Sequence, residues 1–168
     1  MMLAARRIAG IMAGRVRQAP YDPMISLLQR VSEAKVTVDG EVTGQIGPGL
    51  LVFLAVQPVD SDATTARMAE RVLTYRVFSD AEGRMNRSLV DEGLELLVVP
   101  QFTLAADTKK GTRASFTRAA PPDMGRDYFE RFVSKCKETL PAVETGVFGA
   151  DMKVSLLNDG PVTFWLEA

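Results

Sequence analysis

Apolar positions along this chain fall into three kinds of run. Residues 50–56 (LLVFLAV) and 94–99 (LELLVV) are nearly continuous, the pattern of central strands buried on both faces. Residues 34–39 (AKVTVD) alternate, with Val36 and Val38 on one side, as in a half-buried strand. Residues 24–30 (MISLLQR) predict another strand, ending in polar residues. Asp39-Gly40 is a hairpin signal leading into EVTGQI, and Gly47-Pro48-Gly49 predicts a further turn. The third kind has helical spacing. Ala66, Ala69, Val72 and Leu73 recur behind the candidate caps Asp60, Ser61 and Asp62, up to about Tyr75. Met124, Tyr128, Phe132, Cys136 and Leu140 form an i, i+4 stripe widened by Phe129 and Val133, after Pro121-Pro122-Asp123 with Asp123 as the cap. Residues 152–157 and 162–166 predict closing strands on either side of an Asp-Gly-Pro turn. The sum is about seven strands and two helices. The first three strands form a meander, and the helices come late. That is a mixed α/β domain rather than a strict βαβ alternation.

A chain of 168 residues suits one domain with a real core. Residues 1–23 stand apart, with Arg6, Arg7, Arg15 and Arg17 against the single acid Asp22. Such a stretch is either an organelle transit peptide or a non-functional leader ahead of a start at Met24. The domain proper is then 24–168. Its 16 basic and 20 acidic residues exclude a uniformly basic nucleic-acid binder but allow a local basic patch. No apolar run approaches the roughly 20 residues that span a bilayer.

Composition also narrows the chemistry. The chain has no His, so the commonest general base and metal ligand is missing. One cysteine, Cys136, permits no internal disulfide and suggests no zinc site. It lies on the apolar side of a helical stripe and reads as a small core residue. No GxGxxG or GxxxxGK[ST] follows a strand, so no nucleotide cofactor is implied.

Two segments remain. Gln101-Phe102-Thr103-Leu104 follows a buried strand, where a rigid scaffold presents functional groups. Thr103 there is a nucleophile, a donor or a structural hydroxyl, and no nearby His or Lys marks it as activated. Gln101 can position a carbonyl or an amine. Phe102 is either core or a surface for stacking a base. Backbone N–H groups behind the strand can form an oxyanion hole. The second segment is Asn158-Asp159-Gly160-Pro161-Val162-Thr163. Proline is unwelcome within a central strand, and an X-Pro bond is the one peptide that is cis at appreciable frequency. An ordinary β-turn and a cis bond holding two carbonyls parallel both fit. Lys109, Lys110, Arg113 and Arg118 are either a solvated loop or a phosphate contact. The two glycines of residues 144–152 suggest close backbone packing or a pocket rim.

Read in order, these segments resemble the D-aminoacyl-tRNA deacylases from Met24 to the C-terminus. The matching stretches include Gln29-Arg30-Val31, Val36-Thr37-Val38-Asp39-Gly40, Gly83-Arg84-Met85-Asn86, Gln101-Phe102-Thr103-Leu104, Phe148-Gly149-Ala150-Asp151-Met152 and Asn158 to Thr163. The resemblance implies a compact mixed domain with barrel-like strands. It implies a homodimer with its site at the interface, acting on the 3′ acceptor end of aminoacyl-tRNA without metal or cofactor. D-amino acids and glycine are removed. Gly160-Pro161 of one subunit enters the pocket of the other and leaves no room for an L side chain. Arg30 holds that element, with Asn158, Thr163, Phe148 and Met152 in support. Gln101, Phe102 and Thr103 surround the ester, and the terminal 2′-hydroxyl of the tRNA assists. Lys109, Lys110 and Arg113 meet tRNA phosphates. The compartment is the cytoplasm, or an organelle if residues 1–23 are a transit peptide.

One residue departs from the family pattern: Pro100 stands where the family usually has Ser. A related group of editing deacylases, acting on mischarged L-aminoacyl-tRNA, also has Pro there but lacks the following Phe, which this chain keeps as Phe102. Two alternatives therefore stay open, an L-aminoacyl editing hydrolase and a non-catalytic tRNA- or DNA-binding module.

Overall fold

The computed structural model describes residues 23–168, so the reading of residues 1–23 as a leader lies, Pro23 apart, outside the described residues. Element order is β1 (Ile25–Val38), β2 (Glu41–Ile46), β3 (Gly49–Ala55), α1 (Asp62–Thr74), β4 (Phe78–Ser79), β5 (Met85–Arg87), α2 (Leu89–Glu92), β6 (Glu95–Pro100), a 3-10 turn (Phe102–Ala105), α3 (Pro122–Lys137), β7 (Val143–Thr145) and β8 (Lys153–Glu167). The architecture is the expected mixed α/β domain with a barrel-like sheet.

The first two predicted strands are one. β1 runs for 14 residues, and its ladder to β8 slips twice, between Gln29 and Val31 and between Val31 and Glu33. The slip shifts the alternation. Val31 lies in the same apolar cluster as Ala34 and Val36, although their numbers have opposite parity. A period-two pattern that changes phase reads as two strands with a gap.

The meander is also corrected. Asp39 and Gly40 do reverse the chain, with φ of 50° and 85°, both positive as a type I′ turn requires. Gly47-Pro48 does not. β2 pairs antiparallel with Ala34 to Val38 and β3 pairs antiparallel with Ile25 to Val31, so they run end to end along one edge of β1. Gly49 is required here by proximity: a Cβ on it would lie 2.0 Å from the Glu95 carbonyl oxygen. β2 in turn passes over β7, where a Cβ at Gly44 would lie 2.6 Å from the carbonyl oxygen of Thr145. These approaches curl the sheet toward closure.

β3, β6 and β7 are parallel neighbours. α1, α2 and α3 sit in the crossovers and pack on one face. Leu50, Val52, Leu54, Leu96 and Val98 meet Met68, Val72, Phe132 and Cys136 there. Leu51, Leu97 and Val99 fill the opposite face with Val31, Val36 and Ile46. The continuous runs therefore are strands buried on both sides, each fully buried side chain contributing about 1.5–3 kcal/mol. Ser61 caps α1 in a reciprocal pair with Thr64. The α3 cap differs from expectation: Pro121 holds the cap position with no side-chain bond, Pro122 opens the helix, and Asp123 lies in the first turn. Burial pushes the Cys136 thiol up to about 12, as befits a core residue.

β4 and β5 escape a sequence pattern because they are so short. The Asp80 carboxylate holds their turn, accepting from the N–H of Glu82 (3.0 Å) and Arg84 (2.8 Å) and from Asn86 Nδ2 (2.7 Å). The final correction matters most for function. Residues 152–157 and 162–166 are not two strands around a turn. β8 is one 15-residue strand paired, among the described residues, only with β1, and Asp159 to Val162 bulge from it. Thr163 faces Gln29 and Asn158 faces Val31, so five steps along β8 are matched by two along β1. A conventional Asp-Gly-Pro turn signal thus marks an oversized bulge.

Candidate functional site

The first cluster grows from the ends of β3 and β6. Gln101 N–H donates to the Leu54 carbonyl at 2.8 Å, extending the parallel ladder one residue beyond Pro100, which has no N–H to give. The chain then tightens into one 3-10 turn, closed by Leu104 N–H to Gln101 O at 3.2 Å and Ala106 N–H to Thr103 O at 3.1 Å. The N–H groups of Phe102 and Thr103 open this turn and so have no acceptor within it. Gln101 Nε2 donates to Thr103 Oγ1, which fixes both side chains. Phe102 is 56% exposed, which removes the core reading; its ring lies 5.1 Å from that of Phe116.

Beside this turn is an apolar cavity of about 280 Å³, walled by Leu54, Pro100, Phe102, Pro122, Phe129 and Phe148, with Gln101 and Gly149 at its border. Phe148 owes its position to three neighbours. Gly125 leaves space for it, since a Cβ there would meet the ring at 3.2 Å. Phe129 packs against it at 6.4 Å between ring centroids. Arg126 places its guanidinium 5.0 Å over the ring. Met152 acts one step back: its sulfur accepts from Val147 N–H at 3.3 Å and occupies the space a Cβ at Gly146 would need. Close packing thus accounts for Gly146, whereas Gly149 has open space around it and a φ of 81°.

The second cluster is the β8 bulge. The Gly160-Pro161 bond is cis, and Gly160 has φ of 130°. Both residues are exposed. Asn158 closes the base, its Oδ1 accepting from Val162 N–H at 3.1 Å and its Nδ2 donating to Thr163 Oγ1 at 3.0 Å. Gln29 Nε2 donates to the same hydroxyl at 3.2 Å. Arg30 pins the tip from below. Its Nε donates to the Asp159 carbonyl at 3.1 Å and lies 3.3 Å from the Asp159 carboxylate, while Nη1 donates to the Val77 carbonyl at 2.6 Å. Its Nη2 lies 3.0 Å from where a Cβ on Gly160 would be.

These clusters do not meet within one chain. The cavity that Gln101 borders does not include Gly160 in its lining. Arg30 pairs with Leu50, and Gln101 hangs on Leu54 four residues further along β3. That is about 13 Å along the strand, before any sideways offset. The basic loop adjoins the 3-10 turn at Thr103, Leu104 and Ala105. It is pinched by Asp107 and Ser115, which exchange two backbone bonds of 2.8 and 3.0 Å. Lys109, Thr103, Arg118 and Trp165 border a hollow of about 410 Å³, whereas Lys110 and Arg113 lie exposed on the loop.

Sequence reasoning missed Gln29, Phe116 and Arg126 as parts of these clusters. Gln29 carries no signal beyond a polar position at a strand's apparent end, a position that the phase change of β1 disguises. Phe116 was hidden in a polar loop, and Arg126 by its place on an amphipathic helix.

The family model for D-Tyr-tRNA(Tyr) deacylase matches residues 27–167. A protein of Thioalkalivibrio sulfidiphilus named D-aminoacyl-tRNA deacylase is 62% identical over 144 residues, covering 86% of this chain and 97% of that one. One of Vibrio cholerae with the same name is 59% identical over 145 residues, covering 86% and 100%. Among solved structures, the c-Myc DNA Unwinding Element Binding Protein superposes with a TM-score of 0.82 at 35% identity, covering 86% of this chain and 98% of that one. A probable eukaryotic D-amino acid tRNA deacylase, at 18% identity and TM-score 0.76, covers 86% and 99% and shares the fold.

Proposed function

This chain belongs to the D-Tyr-tRNA(Tyr) deacylase family, and from that premise we propose how its two clusters divide the work. The reaction is hydrolysis of the ester joining a D-amino acid to tRNA, giving the free amino acid and tRNA. The apolar cavity takes the terminal adenosine, its base between Phe102 and Phe148. That puts the ribose and its ester at Gln101 and Thr103. The N–H groups of Phe102 and Thr103 face the carbonyl oxygen and stabilise its developing charge. The neighbouring ribose 2′-hydroxyl assists attack, so the site needs no protein base. Gln101 orients the Thr103 hydroxyl, which positions the ester and does not attack it.

Chiral selection falls to the bulge. Gly160 and Pro161 present their carbonyls to a second copy of the chain, in a homodimer whose pocket is completed across the interface. A wall of fixed backbone excludes the L side chain and ignores what the D side chain is. Glycine, having no side chain, is accepted. The observation that carries this reading is the bulge itself: it is pinned by Arg30, Asn158 and Gln29, is exposed, and lies away from the cavity of its own chain. Lys109, Lys110 and Arg113 meet the phosphates of the acceptor end, and the protein works in the cytoplasm.

Matched D-Tyr-tRNA, L-Tyr-tRNA and Gly-tRNA test the proposal. Cleavage of the D and glycyl esters with the L ester spared is expected, unaffected by EDTA. Cleavage of the L ester would instead make Pro100 the mark of an L-editing enzyme, and tRNA binding without cleavage would leave only a binding module.

A further inference from the structure

Asp60 takes no part in the chemistry above, yet it is the one buried carboxyl among the described residues, at 6% exposed. It stands between β3 and α1. Its Oδ2 accepts from Gln57 N–H at 2.8 Å. Its Oδ1 accepts from the Thr64 hydroxyl at 3.1 Å and from the backbone nitrogen of Met24 at 2.7 Å. All three donors are neutral, and among the described residues no Lys or Arg forms an ion pair with it. Burial outweighs these bonds and holds the carboxyl above the usual carboxylate range. A buried carboxylate without a countercharge is costly.

The closest donor, the Met24 nitrogen, is also the one that a chain start would turn into a cation. Met24 is fully buried in the main core, and its carbonyl accepts from Ala168 N–H at 3.1 Å. It is held on three sides, unlike an ordinary frayed end. The Vibrio cholerae relative is matched over 145 residues and 100% of its length, which leaves it no counterpart of 23 of the 168 residues here.

We propose that Asp60 is the receptor for a free α-amino group at Met24, and that the working chain begins there. The ammonium and the carboxylate then form a buried pair that ties the head of β1 to the cap of α1. A charged donor makes a shorter bond, about twice as strong as the neutral one it replaces. The shorter chain gives up one neutral bond, from Gln57 Nε2 to the Pro23 carbonyl at 3.1 Å. Internal initiation and removal of residues 1–23 produce the same amine.

The test compares chains 1–168 and 24–168, each with Asp60 and with Asp60→Asn, by urea unfolding at pH 7. Relatives made of this segment alone show that it is a whole domain. In the double-mutant cycle, Asp60→Asn should shift the unfolding constant at least about tenfold more in 24–168 than in 1–168. Equal shifts would overturn the proposal. Should Asp60→Asn fail to fold, N-acetylated 24–168 decides: it should unfold about tenfold more readily than the free-amine form, and equal stability would refute the pairing. The intact mass of the protein from its own cells should correspond to a start at Met24; a mass that includes earlier residues would contradict it. Met24→Leu in the gene separates the two sources, since loss of the short product marks internal initiation and its persistence marks cleavage. Activity on tRNA enters none of these readouts, so they stand apart from the proposed reaction.

Discussion

The 3-10 turn after β6 and the bulge in β8 are both short departures from a strand, held by opposite means. Gln101-Phe102-Thr103 leaves a strand buried on both faces, and its geometry is inherited from packing: the Leu54 ladder bond, Pro100, and the walls of Phe129 and Phe148. Gly160-Pro161 leaves an edge strand and is exposed. Its geometry comes from polar pins, Arg30 on Asp159 and Asn158 on Val162 and Thr163. A receptor can be made by the core, but a projecting finger needs side chains to hold it. Substitutions should therefore behave differently in the two regions.

The largest effect is expected at Gly160→Ala. The added Cβ meets Val162 Cγ2 at 2.7 Å and Arg30 Nη2 at 3.0 Å, at a φ of 130° that L residues rarely adopt. Single-turnover hydrolysis of D-Tyr-tRNA should fall at least about 100-fold, roughly 2.7 kcal/mol. The urea midpoint should move little, because the bulge is outside the core. A large midpoint shift with intact turnover would reverse the assignment of the two regions.

Arg30→Ala comes next, at about 10- to 100-fold in rate. Its effect should show mainly as a reduced D over L ratio, because the finger loosens while the cavity stays. Arg30→Lys should recover only part of the loss, since Lys cannot bond Asp159 and Val77 in a fixed fork. An unchanged D/L ratio in Arg30→Ala would count against the pinning role.

In the packed region Phe148→Ala should act on binding. Removing one wall of the cavity should raise KM about tenfold and leave kcat within a few-fold. Because Phe148 also packs on Phe129, stability should drop as well, by about 1–2 kcal/mol. A fall in kcat alone would move the adenosine elsewhere.

The smallest effects are expected at Thr103 and the basic loop. Thr103→Ala should cost less than about tenfold, or 1.4 kcal/mol, as suits a positioning hydroxyl. A loss beyond about 1000-fold would make it a nucleophile. Lys109→Ala with Lys110→Ala should leave kcat unchanged and lower the salt slope of tRNA binding by about one to two. An unaltered slope would remove these lysines from the tRNA contact.

The same contrast explains what the sequence made legible. The receptor side could be read because β3 and β6 are continuous apolar runs and Phe129, Phe132, Val133 and Cys136 keep a helical stripe. Periodicity reports burial, and burial built that region. The finger side was legible only as a residue pair, Gly160-Pro161. Its surroundings were misread as a turn between two strands, because a bulge breaks period two as a turn does. The phase change in β1 at Ser32-Glu33 hid its continuity for the same reason. Arg30 and Gln29 appear in sequence as a polar strand end, and their partners are about 130 positions away, beyond any local pattern.

The central claim is that the finger of one subunit completes the cavity of another. It can be tested by mixing two impaired variants, Gly160→Ala and the double variant Phe102→Ala, Phe148→Ala, unfolding them together, refolding, and assaying well below KM, where the cavity defect shows as lost rate. Each mixed dimer would hold one site with both an intact cavity and an intact finger. Random pairing then gives about a quarter of the wild-type D-Tyr-tRNA hydrolysis. Activity no higher than that of the separate variants would place finger and cavity in the same chain, and contradict the account.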